Sequence, residues 1–298
     1  MRSRKGPAFQ LLLCSIFAFG LLAAAPVWAD TATAPVSTAK IDGEYGFWLP
    51  PNIATKNQAY AHQGDWLINA MHVFMVVLFV GWGIFFVYCI VRFRARPGHT
   101  ADSRLVKAKV SKYLEVGVAV FEGVLLIGLA IPAWAQVKTD LPPADKNPFR
   151  VKVIGEQFQW NFHYTGPDGK FGKTSPTHVN SGSNPLGVDR SDPAGADDFA
   201  SGEFHIPVDR PVIAEVTSKD VIHSFAIPVL RVKHDAIPGM RFPVWFEAGK
   251  TGNYEVSCAQ LCGNNHFSMR ALMVVEKPEA FEAWVAEKSK PAEEFQED

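Results

Sequence analysis

Two apolar stretches dominate what this chain can become, one from about Leu67 to Phe93 and the other from about Tyr113 to Val137. Each is longer than the roughly 20 residues that carry a helix across the hydrocarbon core of a bilayer. In that solvent every backbone N–H and C=O must find its partner within the segment, so a helix is expected for both. Trp66, Tyr88 and Phe93 flank the first stretch, and Tyr113 and Trp134 the second, where interfacial aromatics belong. Between the stretches, Arg92, Arg94, Arg96, Arg104, Lys107, Lys109 and Lys112 are opposed by Asp102 alone. Loops rich in Lys and Arg stay on the cytoplasmic side, so loop 94–112 is expected inside and both termini outside. Residues 65–137 therefore read as a transmembrane hairpin.

The N-terminus agrees with that topology. Arg2, Arg4 and Lys5 precede an apolar run from Phe9 to Ala25, and Val27-Trp28-Ala29 offers a cleavage site. This is the pattern of a signal peptide over residues 1–29, with an uncleaved anchor as the alternative. Residues 30–64 are polar and contain proline, as an extracytoplasmic N-terminal segment would. The second span carries Glu115 and Glu122. Acids at membrane depth face protein or water rather than lipid. Glu115 is close enough to the cytoplasmic end to snorkel, whereas Glu122 calls for a partner helix or a proton. The hairpin is expected to pack against another membrane subunit.

Beyond Pro142 and Pro143 the pattern shortens. Val151 and Val153, then Phe158, Trp160, Phe162 and Tyr164, alternate along residues 149–164. Residues 165–201, rich in Gly, Pro, Asp and Ser, read as a long loop or insertion. Further strands are expected over 203–208, 212–217, 222–227, 242–247, 253–257 and 271–276. Many short strands separated by turn residues predict an all-β sandwich or barrel over 145–290. Pro278 opens a short helix through about Lys288, and residues 291–298 form an acidic tail. From Lys138 onward acidic residues outnumber basic ones, so the exported part lacks the basic face of a nucleic-acid binder.

Of the four cysteines, Cys14 and Cys89 lie in apolar runs, where a thiol acts as a small hydrophobe. The other two belong to Cys258-Ala-Gln-Leu-Cys262-Gly-Asn-Asn-His266-Phe-Ser-Met269. Thiolate, imidazole and thioether are the ligands that copper favours in electron-transfer sites. A mononuclear site of that kind uses one Cys, two His and a Met, and this loop holds one sulfur too many. Two thiolates can instead bridge two coppers, each completed by a His and a weak axial group. His223, on an upstream strand, supplies the second imidazole. A zinc site is the main rival, disfavoured because methionine binds zinc poorly. A Cys258–Cys262 disulfide with incidental His and Met is the blander alternative. Leu261 and Phe267 are expected to exclude water from the centre.

This string behind two membrane spans resembles subunit II of haem–copper cytochrome c oxidases, as does the run Val232-Lys-His-Asp-Ala-Ile-Pro-Gly239. The resemblance implies a two-helix transmembrane hairpin plus an all-β cupredoxin-like Greek-key sandwich or barrel carrying a binuclear copper (CuA) centre. Cys258 and Cys262 would bridge, His223 and Met269 would complete one copper, and His266 and the main-chain oxygen of Gln260 the other. It further implies that Asp220 helps to dock cytochrome c and that Phe158, with Trp160, stands at electron entry. Glu115 would lie at the mouth of a proton-uptake path. Read without the resemblance, Asp220 is a solvated turn residue and Trp160 a core residue.

The chain departs from the family pattern in three places. Gln260 replaces a glutamate whose carboxylate holds magnesium at the subunit interface, which puts magnesium binding through this residue in doubt. Phe158 stands where the family has an electron-entry tryptophan, and Glu122 where it has a proline. These departures fit a divergent branch. The implied function is that of an oxidase subunit in the bacterial inner membrane, accepting electrons from cytochrome c at copper. It passes them to haem in the catalytic subunit I, where oxygen is reduced to water and protons are pumped. The chain has no Cys-x2-Cys-His haem-attachment string, so haem is expected only in its partners. The copper subunit of a nitric oxide reductase is the alternative. Further oxidase subunits and membrane lipid complete the expected partners, and no nucleic acid is among them.

Overall fold

The structure, a computed structural model, describes residues 49–98, 100, 109–139 and 141–290. The expected signal peptide, most of segment 30–64, loop residues 101–108 and the tail 291–298 lie outside the described residues.

The first apolar stretch forms helix α1 (Ala59–Arg92). At 1.5 Å per residue its 34 residues extend about 51 Å, well beyond the roughly 30 Å of a hydrocarbon core. It begins at Ala59 rather than Leu67 because its polar first turns rest on protein, with Ala61 fully buried. The second stretch runs through α2 (Lys109–Leu125), a π-helical turn (Leu126–Ala130) and α3 (Ile131–Thr139). The wide turn has a local cause. Pro132 has no N–H to give and its ring crowds the carbonyl four residues back. The turn before it opens so that the Ile131 N–H reaches the Leu126 carbonyl. Both helices are long and apolar enough to cross a membrane. Their large apolar side chains are exposed, a surface that in water would demand cover.

The remaining chain is a sandwich of two five-stranded sheets. The first has the order β3 (Phe199–Ser201), β2 (Gln159–Tyr164), β1 (Phe149–Glu156), β5 (Val212–Ser218), β8 (Phe242–Phe246). The second has the order β4 (Phe204–Pro207), β10 (Arg270–Glu276), β9 (Gly252–Cys258), β6 (His223–Ile227), β7 (Val232–Ala236). Pairs β1–β5 and β4–β10 are parallel and the other neighbours antiparallel. The inner faces meet through aromatic side chains. Phe162 stacks on Phe204 at 4.6 Å between ring centroids, and Phe225 meets Trp160 edge-on at 5.7 Å. Each such buried ring contributes roughly 1.5–3 kcal/mol. Helix α4 (Pro278–Lys288) closes one edge, with Phe281 buried against Phe149.

The run 149–164 is a hairpin, not one strand: Glu156 pairs with Gln159, and the inward positions change from odd to even across the turn. Strand β2 is buried on both faces because the 165–201 insertion lies over its outer side. That insertion is held from within. Asp198 Oδ2 accepts from His163 Nε2 at 2.7 Å and from the Gly172 N–H at 2.8 Å, and the Asp198 carbonyl accepts from Arg190.

The start of α1 is fastened to one end of the sandwich. Ile53 and Thr55 donate backbone hydrogen bonds to the Val229 and Glu247 carbonyls. Fully buried Gln58 donates to the Leu230 carbonyl (2.6 Å) and accepts from the Glu247 N–H (3.0 Å). Arg231 makes a fork to both carboxylate oxygens of Asp65, at 2.6 and 3.1 Å. Leaving buried partners unsatisfied costs about 1–3 kcal/mol per group. Gln58→Leu is therefore expected to destabilise this joint by about 2–4 kcal/mol. Limited proteolysis near residues 49–58 should accelerate while metal uptake is unchanged; equal proteolysis rates would contradict the fastening role.

Candidate metal centre

The end of the sandwich opposite that joint gathers the sulfur and imidazole donors. Cys258 is the last residue of β9 and Arg270 the first of β10, so residues 259–269 form the loop between them. The ladder closes this loop at Ser257 opposite Arg270, and the Cys258 N–H donates to the Met269 carbonyl at 3.1 Å. His266 opens a single 3-10 turn within it. Strand β6 supplies the remaining donor, because Phe225 lies opposite Cys258 and His223 is two residues before it.

A ring nitrogen of His223 and the Sγ atoms of Cys258 and Cys262 all lie within 4.8 Å of one another. The sulfurs are 3.9 Å apart, beyond the roughly 2.05 Å of a disulfide bond, and both thiols are free. Cys262 Sγ is 3.6 Å from His266 Nδ1 and 3.7 Å from Met269 Sδ. Cys258 Sγ is 3.2 Å from the Gln260 carbonyl oxygen. All six expected donors thus fall in one cluster. Met269 and His223 are fully shielded from solvent and Cys262 nearly so. Burial, and then the neighbouring Cys258, push the Cys262 thiol up to about 11. A soft cation that replaces the proton relieves this cost.

His223 is fitted for such a cation. Its Nε2 is 2.9 Å from Asp220 Oδ1, while its Nδ1 is buried without a hydrogen-bond partner. The carboxylate fixes the ring and leaves one nitrogen free to ligate. Asp220 is held in turn by the N–H groups of Val221 (2.6 Å) and Gln157 (2.7 Å). Burial acts to raise its pKa, but the bonds from His223, Gln157 and Val221 hold the carboxyl below the usual range. Asp220 is thus tied to His223 and to two backbone N–H groups rather than left to solvent.

Several neighbours carried no sequence signal. A Cβ on Gly155 would come 2.9 Å from the His223 ring, so only glycine leaves that ring its place. Gly263, at φ +146°, would meet Gln157 Nε2 at 2.8 Å and the Phe158 ring at 2.9 Å. Gln157 ties the two loops together, its side chain donating to the Cys262 carbonyl at 2.6 Å and its N–H to Asp220. Phe158 is half-buried beside this loop. Trp160 is not at the surface: 2% exposed, it packs on His223 and Phe225 and cannot touch a docked protein. Leu261 and Phe267 are 75% and 71% exposed, so they rim the centre and do not wall it. Glu115 lies on α2, outside the cluster.

Residues 149–277 match the family model described as cytochrome c oxidase subunit II, periplasmic domain. The chain is 36% identical to an alternative cytochrome c oxidase subunit 2 of Bradyrhizobium diazoefficiens, over 80% of this chain and 83% of that one. It is 32% identical to a cytochrome c oxidase subunit 2 of Synechocystis, over 76% of this chain and 73% of that one. A crystal structure of the periplasmic domain of cytochrome oxidase subunit II from Bradyrhizobium japonicum is 30% identical, covers 50% of this chain and 96% of its own, and overlays with a TM-score of 0.37. On the sequence relationships the chain belongs to the cytochrome c oxidase subunit II family, a component of haem–copper oxidases.

Proposed function

We propose that Cys258 and Cys262 bridge a pair of copper ions, with His223 and Met269 completing one and His266 and the Gln260 carbonyl the other. The observation that carries this reading is the convergence of two free thiols, two imidazoles and a thioether, with one imidazole nitrogen buried and unpartnered. That donor set is soft and borderline, as copper prefers, and includes a methionine of little use to zinc. Bound copper would supply a one-electron couple shared over two metals, with little change of geometry on reduction. The chain's own residues keep the donors in place: Asp220 fixes the His223 ring, Gln157 pins the Cys262 carbonyl, and the closed β9–β10 ladder sets the loop.

The subunit accepts electrons from cytochrome c and delivers them to haem in the catalytic subunit, for reduction of oxygen coupled to proton pumping. The acidic excess of the exported domain fits a basic donor, and Phe158 lies beside the Cys262 loop where entry would occur. Helices α1 and α2–α3 cross the bacterial inner membrane with loop 94–112 inside, and Glu115 stands near the cytoplasmic mouth of a proton path. The division into signal peptide 1–29, segment 30–64, hairpin 65–137, metal domain 145–290 and tail 291–298 belongs to the same proposal.

Two sets of variants test the centre in the purified complex. Cys258→Ser is expected to abolish the mixed-valence electron paramagnetic resonance signal and oxygen consumption while the hairpin still inserts. Gln260→Ala should keep both coppers, since only its main-chain oxygen is used; a single copper per chain in the unaltered protein, or a four-line spectrum, would sink the proposal. Oxygen against nitric oxide as substrate separates an oxidase from a nitric oxide reductase.

The role of Asp220 predicts a graded response. Removing a carboxylate that orients a metal-bound imidazole lowers metal affinity roughly 10–100-fold. Asp220→Ala should show that loss in copper competition with a chelator, and Asp220→Asn a smaller one. Equal affinity in all three proteins would leave Asp220 a surface residue.

A further inference from the structure

The outer face of the β1–β5 pair carries a cleft of about 350 Å3, separate from the metal centre. Thr174 and Leu186 of the 165–201 insertion line it together with the sheet. Lys152 from β1, Lys219 after β5 and Arg241 before β8 also line it. This runs against the trend of a domain in which acids outnumber bases. Two of the three cations are matched, Lys219 by Glu156 and Arg241 by Glu215. Lys152 is not. Its Nζ lies 4.2 Å over the Phe171 ring, and no carboxylate of the described residues comes within ion-pair distance. Half-buried, its ammonium is pushed below the ordinary range by burial, and Glu215 only partly opposes that. Thr217 adds a hydroxyl group to the same wall.

An ammonium with no carboxylate at ion-pair distance, a guanidinium with N–H groups beyond its one contact to Glu215, and the Lys219 ammonium form a donor set that can take an oxyanion. The volume lies within the range of small-molecule sites. We propose that this cleft binds a small metabolite carrying a phosphate or carboxylate group, held between Lys152 and Arg241 with Lys219 beside them. The inference is independent of the copper reading, because none of the six metal donors lines the cleft.

Calorimetric titration of the detergent-solubilised complex at constant ionic strength tests the site, with inorganic phosphate in one arm and succinate in another. Saturable binding at one site per chain is expected in at least one arm, the tighter arm identifying the anion class. Lys152→Gln and Arg241→Gln should each weaken it at least tenfold, while Lys250→Gln, an exposed lysine outside the cleft, should not. Heats that fail to saturate in both arms, or affinities unchanged by both cleft variants, overturn the proposal. Arg241 sits at an exposed position, so its variant keeps the test open should Lys152→Gln fold poorly.

Discussion

The pairing of β6 with β9, which sets Phe225 opposite Cys258, is the contact on which the metal centre depends. It turns a long separation in sequence into a short one in space. The Ala259 N–H reinforces it by donating to the Ser224 carbonyl at 2.9 Å. Side chains alternate faces along a strand, so a slip of one residue would send His223 to the opposite face from its present partners. The slip is opposed from below. Phe225 is wholly buried against Trp160, Phe204 and Phe246, and reversing its face would forfeit roughly 1.5–3 kcal/mol for that side chain alone.

The apolar register fixes where His223 stands, and polar contacts fix how its ring is turned. Asp220 receives hydrogen bonds from the ring and from the Gln157 and Val221 N–H groups, so the ring cannot rotate without unmaking several bonds. Gly155 leaves no slack behind it. On the proposed function such over-determination is an advantage, because donors that hold their places in both oxidation states add little reorganisation. The same reasoning explains Trp160. Its burial against the His223 ring supports the ligand mechanically, a role that an aromatic in a tight core performs through packing.

The features legible in the sequence were those with a long or chemically unusual pattern. The two membrane-length helices, the Cys258–Met269 string and the helix opened by Pro278 all belong to that class. Short and compensated features were not legible. Strand β7 has only Val232 and Ala236 as buried apolar residues, and β3 has three residues at the end of an irregular segment. The early start of α1 depends on tertiary contacts that no local pattern announces. The exposure of Leu261 and Phe267 was hidden because hydrophobicity argues for burial, whereas both stand on a loop whose sulfur and imidazole side chains turn inward and leave these two outside. Gly155 and Gly263 were silent for a related reason: a glycine is explained by the atom that comes near it, and that atom belongs to a distant strand or loop.

Strands β1 and β5 join the two ends of the sandwich. Phe149 pairs with Val212 near the α1 joint, and Gly155 pairs with Ser218 beside the metal centre. The 8 residues of β1 span roughly 26 Å, so the donors stand on a strut well away from the fastened end. Stiffness along that strut comes from two parallel, fully laddered strands in the middle of a sheet. Leu261 and Phe267 are exposed on the donor loop itself, within a domain whose charge is mainly negative. Long-range charge favours approach of a basic partner, and a small apolar rim favours a dry contact once it arrives. The electron-accepting centre proposed above would profit from that combination. On the proposed function, the contact would be made close to the copper ligands, and the weak, screened part of the attraction would let the donor leave again.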